Sequence, residues 1–452
     1  MNSLNNLVFV SIAAYRDPQL APTIADCIAK ARQPERLRFG ICWQHGPEEP
    51  RPPYSEDARF QILDIDWRDS KGACWARAAI MKLWQGEQWY MQVDSHCRFV
   101  EGWDERLIAL MDETGSALPI LTTYGTAFVP GEDEVLSGDP LMIAFTNFAK
   151  DGIPELKPEV LPDWRKRTSP MRGRFLAAGF LFTVGSFVEQ VPYDPELYFY
   201  GEEASMSVRA FTSGYDLFHP CETIVWHDYI RADAARHWHN HTRLNKVERD
   251  WSELDTFSRR KVRRLLTGRP VSGYGMGSVR TIGDFESYAG VDFKVRKLQD
   301  YTRRSKEPPN PPADPHWTDE IYLWMARIRI NFLSLPDGAL GDPAFWYVGI
   351  ADKDHTEIYR RDFPQSELET VSGEEDEILL ICEFQSGTIP ETWVLQPFSR
   401  TAGWLGKIGG TFSDGDYAII TDEEDEDEDL HLDEIQDDRG GDSEARSFEA
   451  GP

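Results

Sequence analysis

No run of about 18 apolar residues occurs in this sequence, so no transmembrane helix is expected. Met1–Asn6 carries no cationic residue ahead of an apolar stretch. The first such stretch, Leu7–Ala14, reads as a strand, so a secretory leader is not expected either. Cysteine is scarce. The six residues at 27, 42, 74, 97, 221 and 382 include no Cys-x-x-Cys pair, and they read as small buried side chains in a reducing compartment rather than a disulfide framework. Positive charge is short as well, with 48 Lys and Arg against 77 Asp and Glu. The net charge of −29 argues against nucleic acid or an anionic membrane surface as the main partner. No internal repeat of domain size is found. The chain reads as soluble and cytoplasmic.

What is present is material for a large core: 41% hydrophobic residues, with 24 Phe, 16 Tyr and 15 Trp in 452 residues, enough for two domains or one with an appendage. The first 113 residues alternate strand and helix patterns. Strands are predicted at Leu7–Ala14, Leu37–Gln44, Phe60–Asp66 and from Trp89 to the Asp94-x-His96 that ends it, and helices at residues 20–33, Gly72–Gln85 and Trp103–Glu113. This order predicts an α/β sheet with helices on both faces. A further strand is expected at Pro119–Gly125, then a loop-rich stretch to about Pro170, an apolar segment at Phe175–Phe182, a helix from Gly201 to Ser213 and a strand end at Ile224–His227. Five prolines between Lys306 and Pro315 mark an extended linker. Beyond it, alternating segments at Arg327–Leu333, Phe345–Ala351, Glu377–Phe384 and Thr392–Pro397 read as a small antiparallel β module. The predicted organisation is an α/β domain at 1–304, a linker at 305–315, a β-rich accessory module at 316–421 and an acidic tail at 422–452 too polar to order itself. Docking an acceptor, forming a homodimer and covering an edge of the first domain all remain open for the module.

Chemistry concentrates at Asp94-Ser95-His96, where a short apolar strand ends. Strand alternation sends Asp94 and His96 to one side and Ser95 to the other. A carboxylate and an imidazole so placed can grip a divalent cation and leave coordination positions for phosphate oxygens; the bland alternative is that both merely hydrogen-bond the strand end. In α/β sheets ligands bind beyond the carboxyl ends of the strands. Tyr15-Arg16-Asp17 and Asp94-Ser95-His96 both fall there, so they are expected to share a cleft. Arg16 suits paired hydrogen bonds to phosphate, whereas Asp17-Pro18 also fits an ordinary turn. Gly179, inside an apolar run, fits either close approach of backbone to a ligand or a packing bulge. Glu202 and Glu203 open a helix, where carboxylates suit the N-terminal end with or without any chemistry. His237 and His241 are spaced to share a helix face, and the basic stretch Arg259–Arg264 fits a solvated helix face.

Several blocks in order resemble the cytoplasmic polypeptide N-acetylglucosaminyltransferases, whose best-known members modify hydroxyproline. They are Phe9–Pro18, Gly40–Gln44, Lys71–Arg77, Asp94–His96 with Arg98–Asp104, Phe175–Phe180, Val191–Pro195, Gly201–Glu203, Trp226-His227, Gly275–Arg280 and Gly290–Phe293. The resemblance spans roughly residues 7 to 295 and leaves the linker, β module and tail outside it. It implies a GT-A type fold, a UDP-sugar donor, a divalent metal (Mn²⁺, with Mg²⁺ also compatible), retention of anomeric configuration and a polypeptide hydroxyl as acceptor. By similarity to the related mucin-type transferases it implies Asp94, His96 and His227 as metal ligands, with Asp228 a candidate to orient an imidazole. Ser11, Ala13, Tyr15, Arg16, Asp17, Trp75, Arg77, Asp94 and Gly179 would then contact or shape the donor site, Trp75 fitting core packing equally. Glu202 and Glu203 would serve the sugar and acceptor. Two rivals stand beside this reading: the same fold with another UDP-hexose or a small-molecule or saccharide acceptor, and a non-catalytic nucleotide-sugar-binding protein.

Overall fold

The computed structural model describes residues 6–131, 134–149, 151–231, 234–245, 247–311, 322–341, 343–364 and 377–420, so the acidic tail lies outside the described residues. The chain divides into two compact units, Met1–Thr318 and Asp319–Pro452. Among the described residues no helix is long and apolar enough to cross a membrane.

The first unit is built on an eight-stranded mixed sheet. Its apolar runs become the inner strands β1 (Val8–Tyr15), β2 (Leu37–His45) and β4 (Trp89–Val93), with the half-exposed β3 (Phe60–Asp66) at the sheet edge and helices α1 (Leu20–Lys30), α2 (Ala73–Met81) and α3 (Trp103–Glu113) between them in sequence. β1 pairs in parallel with both β2 and β4, and β2 with β3. Helix α3 shows why burial follows the sequence. Trp103, Leu107, Leu110 and Met111 recur at helical spacing and are all buried, the Trp103 indole donates to the Cys27 carbonyl at 2.9 Å, and the Asp104 carboxylate accepts from the backbone N–H groups of Arg32 and Gln33. After the short β5 (Cys97–Phe99), strand β6 (Pro119–Thr122) and the two-residue β7 (Thr126–Ala127) continue the chain.

The stretch from 126 to 170, expected to be loops, contains a hairpin of β8 (Leu141–Phe148) and β9 (Pro154–Val160). Two prolines in β9 hid it; they are tolerated because β9 is an edge with one partner. After β10 (Met171–Arg172), the apolar segment at Phe175–Phe182 is a strand only from Phe180: β11 (Phe180–Val184) runs antiparallel between β4 and β6. A one-turn α4 (Phe187–Gln190), α5 (Glu202–Thr212), β12 (Asp216–His219) and β13 (Val225–His227) follow. The sheet order is β10-β12-β6-β11-β4-β1-β2-β3, and β5-β13-β7 form a separate small sheet at its rim. The α/β architecture with helices on both faces is thus the one expected of a GT-A type domain.

Beyond a short α6 (His237–Asn240), α7 (Trp251–Leu266) carries the basic stretch. It is not simply solvated: Lys261 is buried against Asp194 at 2.7 Å, and Arg259 pairs with Asp151 and Asp255 over the Tyr200 ring. The proline-rich segment is part of the first unit as far as Pro311. Glu307 accepts from Arg167 and from the Arg172 N–H, and buried Asn310 bonds Arg174, Gln299 and Thr302.

The second unit is a β sandwich. One sheet sets Tyr322–Asn331 between Glu377–Ser386 and Tyr417–Ile419. The other joins Pro343–Ala351 to Glu357–Pro364 and Thr392–Ser399, with short pieces at Gly403–Trp404 and Ile408–Thr411. Alternation sends Trp346, Val348 and Ile350 into a shared core with Ile328, Ile330, Leu380 and Leu395. The expected β-rich module is present, with Glu357–Pro364 and the three short strands added to the four predicted segments.

Candidate active site

Parallel pairing of β1 with β4 sets their carboxyl ends side by side, and the two sequence blocks meet there as expected. β5 and β13 then pair antiparallel with His227 opposite Cys97, which brings a histidine 131 positions away beside His96. The approach is close: a side chain at Gly125, just before β7, would place its Cβ 2.8 Å from that of His227.

Three donor atoms converge. His96 Nε2 lies 3.0 Å from His227 Nε2, His227 Nε2 lies 3.2 Å from Asp94 Oδ2, and His96 Nε2 lies 3.9 Å from Asp94 Oδ2. Two of the three, Asp94 and His96, are oriented from behind. Arg77, on α2, donates one arm to Asp94 Oδ1 at 2.8 Å and the other to Glu202, leaving Asp94 Oδ2 to face the imidazoles. Asp17 Oδ2 takes His96 Nδ1 at 2.7 Å, together with Ser95 Oγ at 2.7 Å and Arg231 Nη2 at 3.2 Å. The Asp94 N–H donates to the Gly179 carbonyl at 3.1 Å, and a Cβ on Gly179 would stand 3.0 Å from Asp94 Oδ2.

The electrostatics suit a cation. Burial opposes ionisation of Asp94, but the His227 hydrogen bond and the Arg77 charge outweigh it and hold the carboxyl well below the usual range. Burial pushes His96 below its ordinary value even with Asp17 and Asp94 nearby, so the ring is neutral. The carboxylate partner assigns its proton to Nδ1 and leaves an Nε2 lone pair directed at the other two groups. Ligands sharing a first-row or magnesium-sized cation at about 2.1 Å lie about 3 Å apart, close to two of the three separations found. One carboxylate oxygen and two imidazole nitrogens, with one side kept clear by Gly179, are a donor set that fits a divalent metal, the cation taking the place of the proton that His227 Nε2 gives to Asp94. His227 Nδ1 is buried without a protein partner. Asp228 does not supply one, because its carboxylate accepts from the N–H groups of Ile230 and Arg231.

These ligands line a cavity of about 200 Å³, together with Ala13, Tyr15 and Arg77. Other residues expected at the donor site sit elsewhere. Ser11 is fully buried in mid-strand, Arg16 is engaged by Glu48 and Glu49, and Trp75 packs against the main core. Asp17 supports His96 and is not free to meet a nucleotide. Ser95, assigned to the far side, lines the cavity instead, since β4 ends at Val93 and strand alternation stops with it. Glu202 lies behind Arg77. Glu203 accepts from the Ala178 N–H at 2.9 Å and from the Tyr124 hydroxyl at 2.5 Å; burial raises its carboxyl to about 7. Neither glutamate lines the cavity. Sequence reading missed Arg231, Arg236 and Trp238, which do; they follow β13 in a stretch without periodicity. His237 lines the cavity too, whereas His241 bonds the Trp67 carbonyl and the Tyr198 hydroxyl.

Set against known families, residues 7–61 and 52–295 match the family described as Glycosyltransferase (GlcNAc). The chain belongs to this glycosyltransferase family. No curated protein matches the chain. Among solved structures, GalNAc-T7 with UDP, GalNAc and Mn²⁺ is similar at 17% identity and a TM-score of 0.42, covering 62% of this chain and 54% of that one. S. aureus TarS is similar at 10% identity and a TM-score of 0.34, covering 89% and 77%. Its 1–349 fragment matches at 11% and 0.34, covering 49% and 60%. This glycosyltransferase therefore spans about half the length of the GalNAc-T7 chain it matches, and likenesses this distant define no residue correspondence.

Proposed function

We propose that this glycosyltransferase is metal-dependent and moves a sugar, GlcNAc by its family, from UDP to a peptide or protein hydroxyl with retention. The observation that carries the reading is the convergence of Asp94 Oδ2, His96 Nε2 and His227 Nε2 at one cavity in a chain of this family. These three would hold Mn²⁺ or Mg²⁺, which when bound supplies Lewis-acid stabilisation of the charge that builds on the leaving diphosphate. The chain's own residues do the rest. Asp17 and Arg77 orient His96 and Asp94, so little reorganisation of these two is needed when the donor arrives. Arg231 and Arg236 add positive charge to the cavity wall where a diphosphate would lie. Tyr15, in the same lining, offers a ring for the base.

The reading is tested by UDP release from a panel of UDP-sugars with Mn²⁺ and no acceptor, in wild type and His96→Ala. Release from one donor, reduced at least 100-fold in the variant, is the expected result. No release from any donor, together with no Mn²⁺-dependent UDP binding by calorimetry, would overturn it.

A further inference from the structure

Tyr15 ends β1 and is almost wholly covered, and its cover is another ring. The His237 imidazole lies over it with centroids 3.7 Å apart and planes at 26°. His241 meets the same ring edge-on at 5.5 Å, and the Tyr15 hydroxyl donates to Asn240 Oδ1 at 3.3 Å. The two histidines differ in how they are held. Both ring nitrogens of His241 have protein partners. His237 Nε2 is buried and meets none, so its ring is retained by stacking while one polar atom stays unsatisfied.

The cavity containing this stack is small for the proposed donor. At about 200 Å³ it falls below the roughly 300–1,000 Å³ of small-molecule sites. A nucleoside diphosphate-sugar exceeds this space, so displacement of a lining group would enlarge the room for it inside the cavity. Among the rings of the lining, His237 is stacked on another lining residue and lacks a hydrogen bond at Nε2. A pyrimidine base is flat, stacks on a phenol ring as an imidazole does, and carries its own donors and acceptors.

We infer that Tyr15 is the nucleobase subsite and that, in the free protein, His237 occupies it in place of the base. The inference rests on the UDP-sugar reading above and adds to it a competition. Donor binding displaces the imidazole, and apparent donor affinity is lowered by the fraction of molecules in which Tyr15 is covered.

The experiment is calorimetry of UDP with Mn²⁺ on the full chain, in wild type, His237→Ala, His237→Phe and Tyr15→Ala. His237→Ala removes the competitor and should tighten UDP binding by about three- to tenfold. His237→Phe keeps a stacking ring without the unsatisfied nitrogen, so it should compete harder and weaken binding below wild type. Tyr15→Ala should weaken binding and abolish the gain from a second His237→Ala change. If His237→Ala weakens binding or leaves it unchanged while wild type binds, the competition is wrong and the donor reading stands. If neither wild type nor His237→Ala binds UDP, the donor reading falls and the inference with it.

Discussion

Two parts of the cavity lining are built on different principles. At Asp94 and His96, charged groups behind the donor atoms fix their direction: Arg77 spans Asp94 and Glu202, and Asp17 gathers His96, Ser95 and Arg231. At Tyr15, rings lie on rings and the His237 nitrogen is left over. Charged, directional contacts in a dry site resist rearrangement because breaking one strands a buried charge. Stacked rings exchange partners at little cost, since a similar ring restores the same contact. One part is preorganised and the other replaceable. That division suits a protein that must hold a cation's ligands steady while a nucleotide comes and goes.

Removing the brace should break the rigid part most severely. Arg77→Ala leaves Asp94 and Glu202 buried without their shared cation, and should destabilise the first unit by about 3–5 kcal/mol in chemical denaturation. A loss below about 1 kcal/mol would mean that the carboxylates find other compensation. A subtler change separates orientation from ligation. Asp17→Asn keeps the shape but removes the acceptor charge behind His96, and should weaken Mn²⁺ binding by about 10–100-fold in the folded protein, with a stability loss from the Arg231 pair that denaturation reads separately. Titration of the metal alone reads this, and an unchanged affinity would show that His96 needs no support from Asp17.

Glu203 sharpens the contrast by pH. Burial raises its carboxyl from 4.5 to about 7, so the folded state keeps a proton that the unfolded state gives up. Its contribution to stability is therefore present below pH 4.5 and is lost as pH rises to about 7. Glu203→Gln removes that dependence. The variant should gain on wild type across this window, by roughly 2–3 kcal/mol at most. Parallel unfolding curves at pH 5 and pH 8 measure it, and an equal difference at both would sink the assignment.

Legibility in the sequence followed the range of the interactions. β1, β2, β3 and α3 were readable to within a residue because their burial repeats along the chain itself. The β8–β9 hairpin was not, since prolines in β9 contradict local strand preference and only the pairing across the hairpin overrides it. At the site, Asp94 and His96 were legible as neighbours at a strand end, and His227 through a resemblance between families. Asp17 was legible as a site residue, but its work behind His96 was not.

By itself, then, the sequence determined the α/β alternation, the β-rich module, and the strand ends that carry Tyr15, Asp17, Asp94 and His96. These depend on periodicity and on which end of a strand a residue occupies, both written within a few residues. Only the tertiary structure decided that β5 and β13 pair to bring His227 to His96, that Ser11 and Arg16 turn away from the cavity, and that His237 covers Tyr15. Each of those outcomes depends on which distant surfaces pack together, and side-chain spacing along one strand carries no record of that choice.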